Sequence, residues 1–345
     1  MIPIQNIYYM LSYAFQVLNE QGYKNIATEQ FHNTAELMAA ILEKGIAIQL
    51  KRGLVKEYIP QMEALSSLRG KIDIAESIKT QSMLRKQLIC TYDEFSVNSI
   101  MNRIIKSTVE LLLRSNISKQ RKKNLRKLMV YFSEVDFIDL YTVNWNVQYN
   151  RNNQTYRMLI SICYLVVKGL LQTQSNGHTK LMDFLDEQRM CRLYEKFILE
   201  YYRREFKNQI TANASQIPWQ LDDEENSMLP VMQSDIMLQR GEKVLIIDAK
   251  YYEHSTQVQF DKHTLHSGNL YQIFTYVKNK EYEMREKDHT VSGMLLYAKT
   301  DEEIYPNNVY QMSGNQITVR TLDLNLPFDE IAGQLNTIAK THFDL

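Results

Sequence analysis

Apolar side chains recur at helical spacing over residues 6–18 (NIYYMLSYAFQVL) and again over 36–49, a run closed near Gly53. Residues 54–59, 71–74 and 87–95 predict short strands, and 98–113 and 118–132 predict two amphipathic helices. The N-terminal half therefore reads as mixed α and β. Polar, turn-rich stretches at 149–155 (YNRNNQT) and 172–179 (QTQSNGHT) are the candidate boundaries. The second is preferred because a long helical pattern, 181–206, follows it. It divides the chain into domains of 1–175 and 176–345.

Beyond that helix the pattern changes. Residues 228–238 predict a strand, Arg240-Gly241-Glu242 a turn, and the unbroken apolar run 244–247 a central strand buried on both faces. A short helix at 269–277, strands at 291–298 and 316–324, and a closing helix at 328–339 complete the order. The fold class is α+β, and its second half is an α/β core with mixed strand directions.

Composition narrows this picture. The 345 residues, 44% of them hydrophobic, suffice for two real cores, and only 11 Gly and 6 Pro exclude low-complexity chain. Lys+Arg and Asp+Glu both number 40, so DNA held by bulk positive charge is excluded. Any nucleic-acid contact must be local or must lean on a partner. Cys90, Cys163 and Cys191 are odd in number and form no CxxC pair, as expected of free, buried thiols in a reducing cytoplasm. Met1-Ile2-Pro3-Ile4 does not begin a signal peptide. The most apolar stretch, 158–171, is too short to span a bilayer and contains Lys168, so it reads as a buried helix and no membrane is expected.

The chemistry centres on Asp248-Ala249-Lys250, which ends the buried strand. Positions i and i+2 of a strand share a face, so the carboxylate and the ammonium project together. Asp235 lies on the preceding strand, and antiparallel pairing across the 240–242 turn would set the two carboxylates side by side. Two such carboxylates repel one another, and a divalent cation relieves the repulsion. Mg²⁺, with Mn²⁺ as a substitute, suits hard oxygen donors and would activate water for phosphodiester hydrolysis. Lys250 would orient that water or offset charge at phosphorus; a lysine depressed by burial could instead take the proton. A DxK triplet alone is weak, since roughly one arises by chance in a chain this long, and the bland reading is a salt bridge at a strand end. Glu205-Phe206-Lys207 is a decoy: its residues lie in a helical pattern, where i and i+2 diverge. Gln272 and Tyr276, four apart on the following helix, share a face and could support the site, although a core tyrosine is the bland reading. Glu195, on the long helix before the strands, could add a third carboxylate to a metal or be merely solvated.

Together these residues resemble the QxxxY-bearing branch of the PD-(D/E)xK nuclease superfamily. Ile2-Pro3-Ile4-Gln5-Asn6-Ile7-Tyr8-Tyr9-Met10-Leu11, Leu68-Arg69-Gly70-Lys71-Ile72, Asn102-Arg103-Ile104-Ile105-Lys106, Ser234-Asp235-Ile236, Ile247 through Tyr252, and Asn269-Leu270-Tyr271-Gln272 resemble the McrC family. These are the nuclease subunits of McrBC-type, modification-dependent restriction systems. Ser234 stands where the superfamily has its proline, which is not a ligand. The resemblance implies a restriction-endonuclease-like second domain, double-stranded, methylated DNA as substrate, and an McrB-like AAA+ GTPase hexamer as partner. The N-terminal domain would dock on that hexamer and stimulate it, and GTP would be bound by the partner. In agreement, the chain has no GxxxxGK[ST] phosphate loop.

Arg69 and Lys71, flanking Gly70 in a turn, are candidates for reaching the partner's nucleotide pocket. The basic run Lys119-Gln120-Arg121-Lys122-Lys123 is a candidate DNA or partner contact, weighed against a solvated helix face. His254, Asp261, His263 and His266 invite a zinc reading that their spacing does not support. No GxSxG elbow is present. Two alternatives stand beside the endonuclease: a regulatory GTPase-activating subunit without cleavage, and a DNA-end repair nuclease of the QxxxY type.

Overall fold

A computed structural model describes the chain except residues 1, 16–17, 19–22, 24–25, 27–28, 30, 152, 176–186, 224–227, 253–256, 260–261 and 300–304. The chain forms two compact units: Met1–Ala27 together with Leu185–Leu345, and Thr28–Phe184. The division is therefore not the contiguous one expected at 175/176. The first helix, α1 (Ile4–Ala14), belongs with the C-terminal unit. It has buried side chains on nearly every side, including Ile7, Tyr8, Met10 and Leu11. The Asn6 amide donates to the carbonyls of Leu324 and Leu326, both at 2.8 Å. The Tyr9 ring stacks on Phe328 with centroids 4.4 Å apart. A helix of 11 residues has little stability alone and must bury itself on a neighbour.

In the Thr28–Phe184 unit, α2 (Thr34–Arg52) is capped by Asn33, which accepts from the Glu36 amide, and stopped by Gly53 at φ 88°. Next come β1 (Glu57–Leu65), β2 (Lys71–Asp73), α3 (Ile74–Lys79) and β3 (Leu88–Ser96), whose strands form an antiparallel sheet ordered β1-β3-β2. Helices α4 (Ile100–Arg114), α5 (Lys119–Met129) and α6 (Tyr156–Ser175) complete the unit. The apolar run of 158–171 lies in α6, with Leu159, Ile162, Cys163 and Val167 buried as expected. No helix among the described residues is long and apolar enough to cross a membrane. Asn102, a residue of the family-like string in α4, has a structural duty. Its amide donates to the carbonyls of Val55 and Val97, and its oxygen accepts from the Tyr156 hydroxyl.

The other unit continues with α7 (Glu187–Glu205), β4 (Thr211–Asn213), β5 (Gln216–Ile217), β6 (Met232–Gln233), β7 (Ile236–Arg240), β8 (Lys243–Lys250), β9 (Gln257–Gln259) and β10 (Lys262–Thr264). It ends with α8 (Ser267–Glu283), β11 (Thr290–Ala298), β12 (Asn308–Met312), β13 (Asn315–Leu322) and α9 (Phe328–Phe343). Its main sheet has the order β12-β13-β11-β8-β7-β4. Strands β8, β11 and β13 run parallel, while β4, β7 and β12 pair antiparallel, giving the mixed directions expected. All six interior residues of β8 are buried, as its unbroken apolar run predicts. The hairpin from β7 into β8 turns on Gly241 at φ 57°, a conformation glycine adopts without strain. The strand expected over 228–238 is two strands in two sheets. Ser234 interrupts it by exchanging hydrogen bonds with Ser215. Strand β12 escapes the sequence pattern because four of its five residues are exposed, leaving no alternation of burial.

Helix α8 crosses from β8 to the parallel β11 and packs on the sheet through Ile273 and Val277. Its close approach depends on Gly293 of β11. A Cβ there would lie 2.8–2.9 Å from side-chain atoms of Ile273, Val277 and Ile317. Elsewhere α7 packs on α9, with the Tyr201 hydroxyl bonded to Asn336 and the Tyr202 hydroxyl to the Leu335 carbonyl.

Candidate active site

The hairpin register pairs Ile236 with Ile247, so one step further sets Asp235 opposite Asp248. Asp235 Oδ2 accepts from the Ala249 amide at 3.0 Å, fixing one carboxylate against the strand that carries the other. Asp248 is 1% exposed. The Lys250 Nζ lies 2.8 Å from its Oδ1 as an ion pair. Neither Asp248 oxygen receives a well-formed hydrogen bond. Burial pushes the Asp248 carboxyl up to about 7; the Lys250 ammonium pulls it down and Asp235 pushes it further up.

Burial works to lower Lys250, yet the carboxylate of Asp248 outweighs it and raises the lysine above its ordinary value. That shift runs opposite to the lowered value a proton-accepting lysine would need. Its Nζ also reaches Gln272 Oε1 at 3.4 Å, and Gln272 Nε2 donates to the Tyr276 hydroxyl at 2.9 Å. The structure thus brings Asp235, Asp248, Lys250, Gln272 and Tyr276 into one chain of contacts. The decoy Glu205 ends α7 and accepts from the Tyr13 hydroxyl instead.

Glu195 lies near enough that Asp235 helps to raise its carboxyl, burial being the larger cause. Its Oε1 accepts from the Cys191 thiol at 3.1 Å. That thiol is only half-buried, unlike Cys90 and Cys163; burial and Glu195 push it up to about 12, and no disulfide links the three cysteines. Among the described residues, no group of three or more His, Cys, Asp or Glu is gathered around a single point. The zinc reading gains no support there, although His254 and Asp261, like the side chain of His263, lie outside the described residues. His266 precedes α8 and its ring lies against Tyr252.

A hard divalent cation fits the donors at hand. Asp248 offers two buried oxygens that the Lys250 ammonium, paired with Oδ1 alone, leaves short of hydrogen bonds, at a position where burial makes ionisation expensive. Mg²⁺ commonly takes one or two carboxylates and keeps its waters, so the Asp235–Asp248 pair suffices without a third protein ligand.

Sequence reasoning missed the Ser215–Ser234 clasp that delivers Asp235, the tight seat at Gly293, and the polar contacts of Asn269, Tyr252 and Tyr297. Asn269 lay inside a family-like string, which was the available signal. The other residues sit in ordinary strand patterns.

Arg121 corrects the reading of the basic run. Its guanidinium turns inward to Glu29, Glu36 and Glu43 at 2.7–3.3 Å and is 15% exposed. Arg69 and Lys71 are exposed, with the Arg69 guanidinium 4.0 Å above the Tyr92 ring. Gly70 between them adopts φ 70° and approaches within 2.4 Å of the Thr91 carbonyl where a Cβ would stand, so only glycine fits.

The fold and site define a two-unit α+β protein with paired carboxylates and a lysine at the end of a central strand. Residues 5–298 match the family described as McrBC 5-methylcytosine restriction system component, and the chain belongs to that family. It is 30% identical over 329 residues to the type IV methyl-directed restriction enzyme EcoKMcrBC of Escherichia coli K12, covering 94% of this chain and 93% of that protein. It is also similar in fold to the refined half-complex from the tetradecameric assembly of Thermococcus gammatolerans McrB AAA+ hexamers with bound McrC. That likeness has TM-score 0.50 at 18% identity and covers 97% of this chain and 76% of that one.

Proposed function

We propose that this chain is the DNA-cleaving subunit of a GTP-dependent, modification-dependent restriction complex. The observation that carries the reading is Asp248: a buried carboxylate at a strand end, opposite Asp235, paired with the Lys250 ammonium at Oδ1 and otherwise short of hydrogen bonds among the described residues. A purely structural ion pair would gain from satisfying those lone pairs; a metal-binding carboxylate keeps them available.

Asp235 and Asp248 would hold Mg²⁺, or Mn²⁺ in its place, with Glu195 adjacent. The bound cation would supply Lewis acidity toward a phosphoryl oxygen and lower the pKa of water. Lys250 presents a fixed positive charge beside Asp248, suited to orienting the nucleophile and to offsetting charge as it develops on phosphate. Gln272 orients the lysine through Oε1, and Tyr276 fixes the amide by accepting from Nε2. The substrate is double-stranded, methylated DNA.

The partner is an McrB-like AAA+ GTPase hexamer, which binds GTP. The absence of a phosphate loop from this chain supports that division of labour, as does the T. gammatolerans assembly, in which McrC is bound to McrB AAA+ hexamers. The Thr28–Phe184 unit is the docking unit, with Arg69 and Lys71 directed to the partner. The test combines the protein, its GTPase partner, GTP, Mg²⁺ and methylated DNA. Asp248→Ala should abolish cutting while GTPase stimulation persists. Continued cleavage by that variant would overturn the assigned site.

A further inference from the structure

Three residues beside the site are used neither by the carboxylate pair nor by the Gln272–Tyr276 contact. Asn269 stands in the first turn of α8, three positions before Gln272, and is 8% exposed. Tyr297 of β11 is fully buried, and the parallel register sets it beside Lys250. Tyr252 follows Lys250 by two positions, just beyond the end of β8, and its ring lies 6.1 Å from that of Tyr297. The Tyr252 hydroxyl donates to Asn269 Oδ1 at 3.2 Å, and Asn269 Nδ2 donates to the Tyr297 hydroxyl at 2.9 Å.

One short side chain thus spends its acceptor on the chain leaving β8 and its donor on β11. Only a primary amide of this length offers both. Leucine offers neither, aspartate lacks the donor, and glutamine would carry the amide a methylene too far. His266 at the N-cap makes no side-chain capping bond, so the Asn269 amide adds a tie from this turn to both strands. Precision matters there. The Lys250–Gln272 contact is already 3.4 Å long, so a shift of a few tenths of an ångström breaks it.

We infer that Asn269 is a positioning residue for DNA cleavage: it clamps the first turn of α8 across the ends of β8 and β11 and so sets Gln272 against Lys250. The inference rests on the nuclease reading above. A merely structural asparagine would lower stability and leave the chemistry of folded protein intact. A positioning asparagine acts through Gln272, and that dependence is measurable.

The test uses the full chain with its GTPase partner, GTP, Mg²⁺ and methylated DNA, at saturating DNA and metal. Asn269→Leu should cut about tenfold more slowly, the scale of losing an outer partner of a metal site. GTPase stimulation should be unchanged. The double variant Asn269→Leu/Gln272→Ala should be no slower than Gln272→Ala alone, since both act on one contact. Tyr252→Phe removes a single hydroxyl at a half-buried position; it should slow cutting in the same non-multiplying way and serves where Asn269→Leu does not fold. Native-rate cleavage by both variants, or effects that multiply with Gln272→Ala, would overturn the positioning role. Asp248→Ala, run alongside, separates the two failures. If it still cuts, the site assignment falls; if it is inactive while Asn269 and Tyr252 variants cut normally, only this inference falls.

Discussion

Asp248 is costly to ionise where it stands, and the cost has a sign. Its folded value, about 7, is raised from an ordinary 3.8. A raised carboxyl stabilises the fold below its unfolded value, and that contribution is lost as pH rises through the folded value. In chelator, the native protein should therefore lose stability relative to Asp248→Asn between about pH 4 and pH 8. The loss is on the order of 4 kcal/mol and is read from denaturant melts across that window. Mg²⁺ should reverse the trend, because it favours the ionised form; a pH-independent difference would show that burial at Asp248 is relieved some other way. The pair of Asp248 and Lys250 was legible from strand alternation alone. The unsatisfied state of the carboxylate was not, because hydrogen bonding depends on which groups the fold brings near.

Elements decide how closely those residues meet. Helix α8 reaches the sheet over Gly293, where a Cβ would press on three branched side chains. Gly293→Ala should cost about 1–3 kcal/mol by overpacking and slow cleavage more than the melting shift implies, because α8 carries Gln272. Thermal melts paired with single-turnover cleavage check this; a destabilised variant with native cleavage would disconnect the helix seat from the site. In the other unit, α5 shows how a charge run misleads. Arg121→Ala removes the cation shared by Glu36 and Glu43, which keep only neutral donors from Ser118 and Asn124 among the described residues, and should cost on the order of 2 kcal/mol, a value discounted from fully buried pairs for partial solvent exposure. Lys123→Ala, on the exposed side of the same helix, should change melting by less than about 0.5 kcal/mol. Periodicity found α5 but could not rank its basic residues, since the three glutamates that claim Arg121 lie roughly 80–90 positions earlier.

At the scale of the molecule, the chain's first helix belongs to the unit that bears the candidate site. Removing residues 1–27 should therefore loosen Leu185–Leu345, exposing the surface around Phe197 and Tyr201 that Tyr13 covers. Limited proteolysis of the truncated protein should cut first within 185–345. Preferential cutting within 28–184 would contradict the assignment. A boundary drawn along the sequence could not anticipate this, because turn-rich composition marks where a chain bends and not which core a helix joins.

Local pattern alone determined the buried strand, the shared face of Asp248 and Lys250, the hairpin at Gly241 and the shared face of Gln272 and Tyr276. Each follows from backbone periods that act within a few residues. Tertiary structure alone decided four things: α1 joining the distant unit, Arg121 turning inward, Gly293 admitting α8, and Asn269 joining two strand ends. Each depends on groups brought together across tens to hundreds of residues, where distance in the folded chain, not spacing in the sequence, sets the interaction energy.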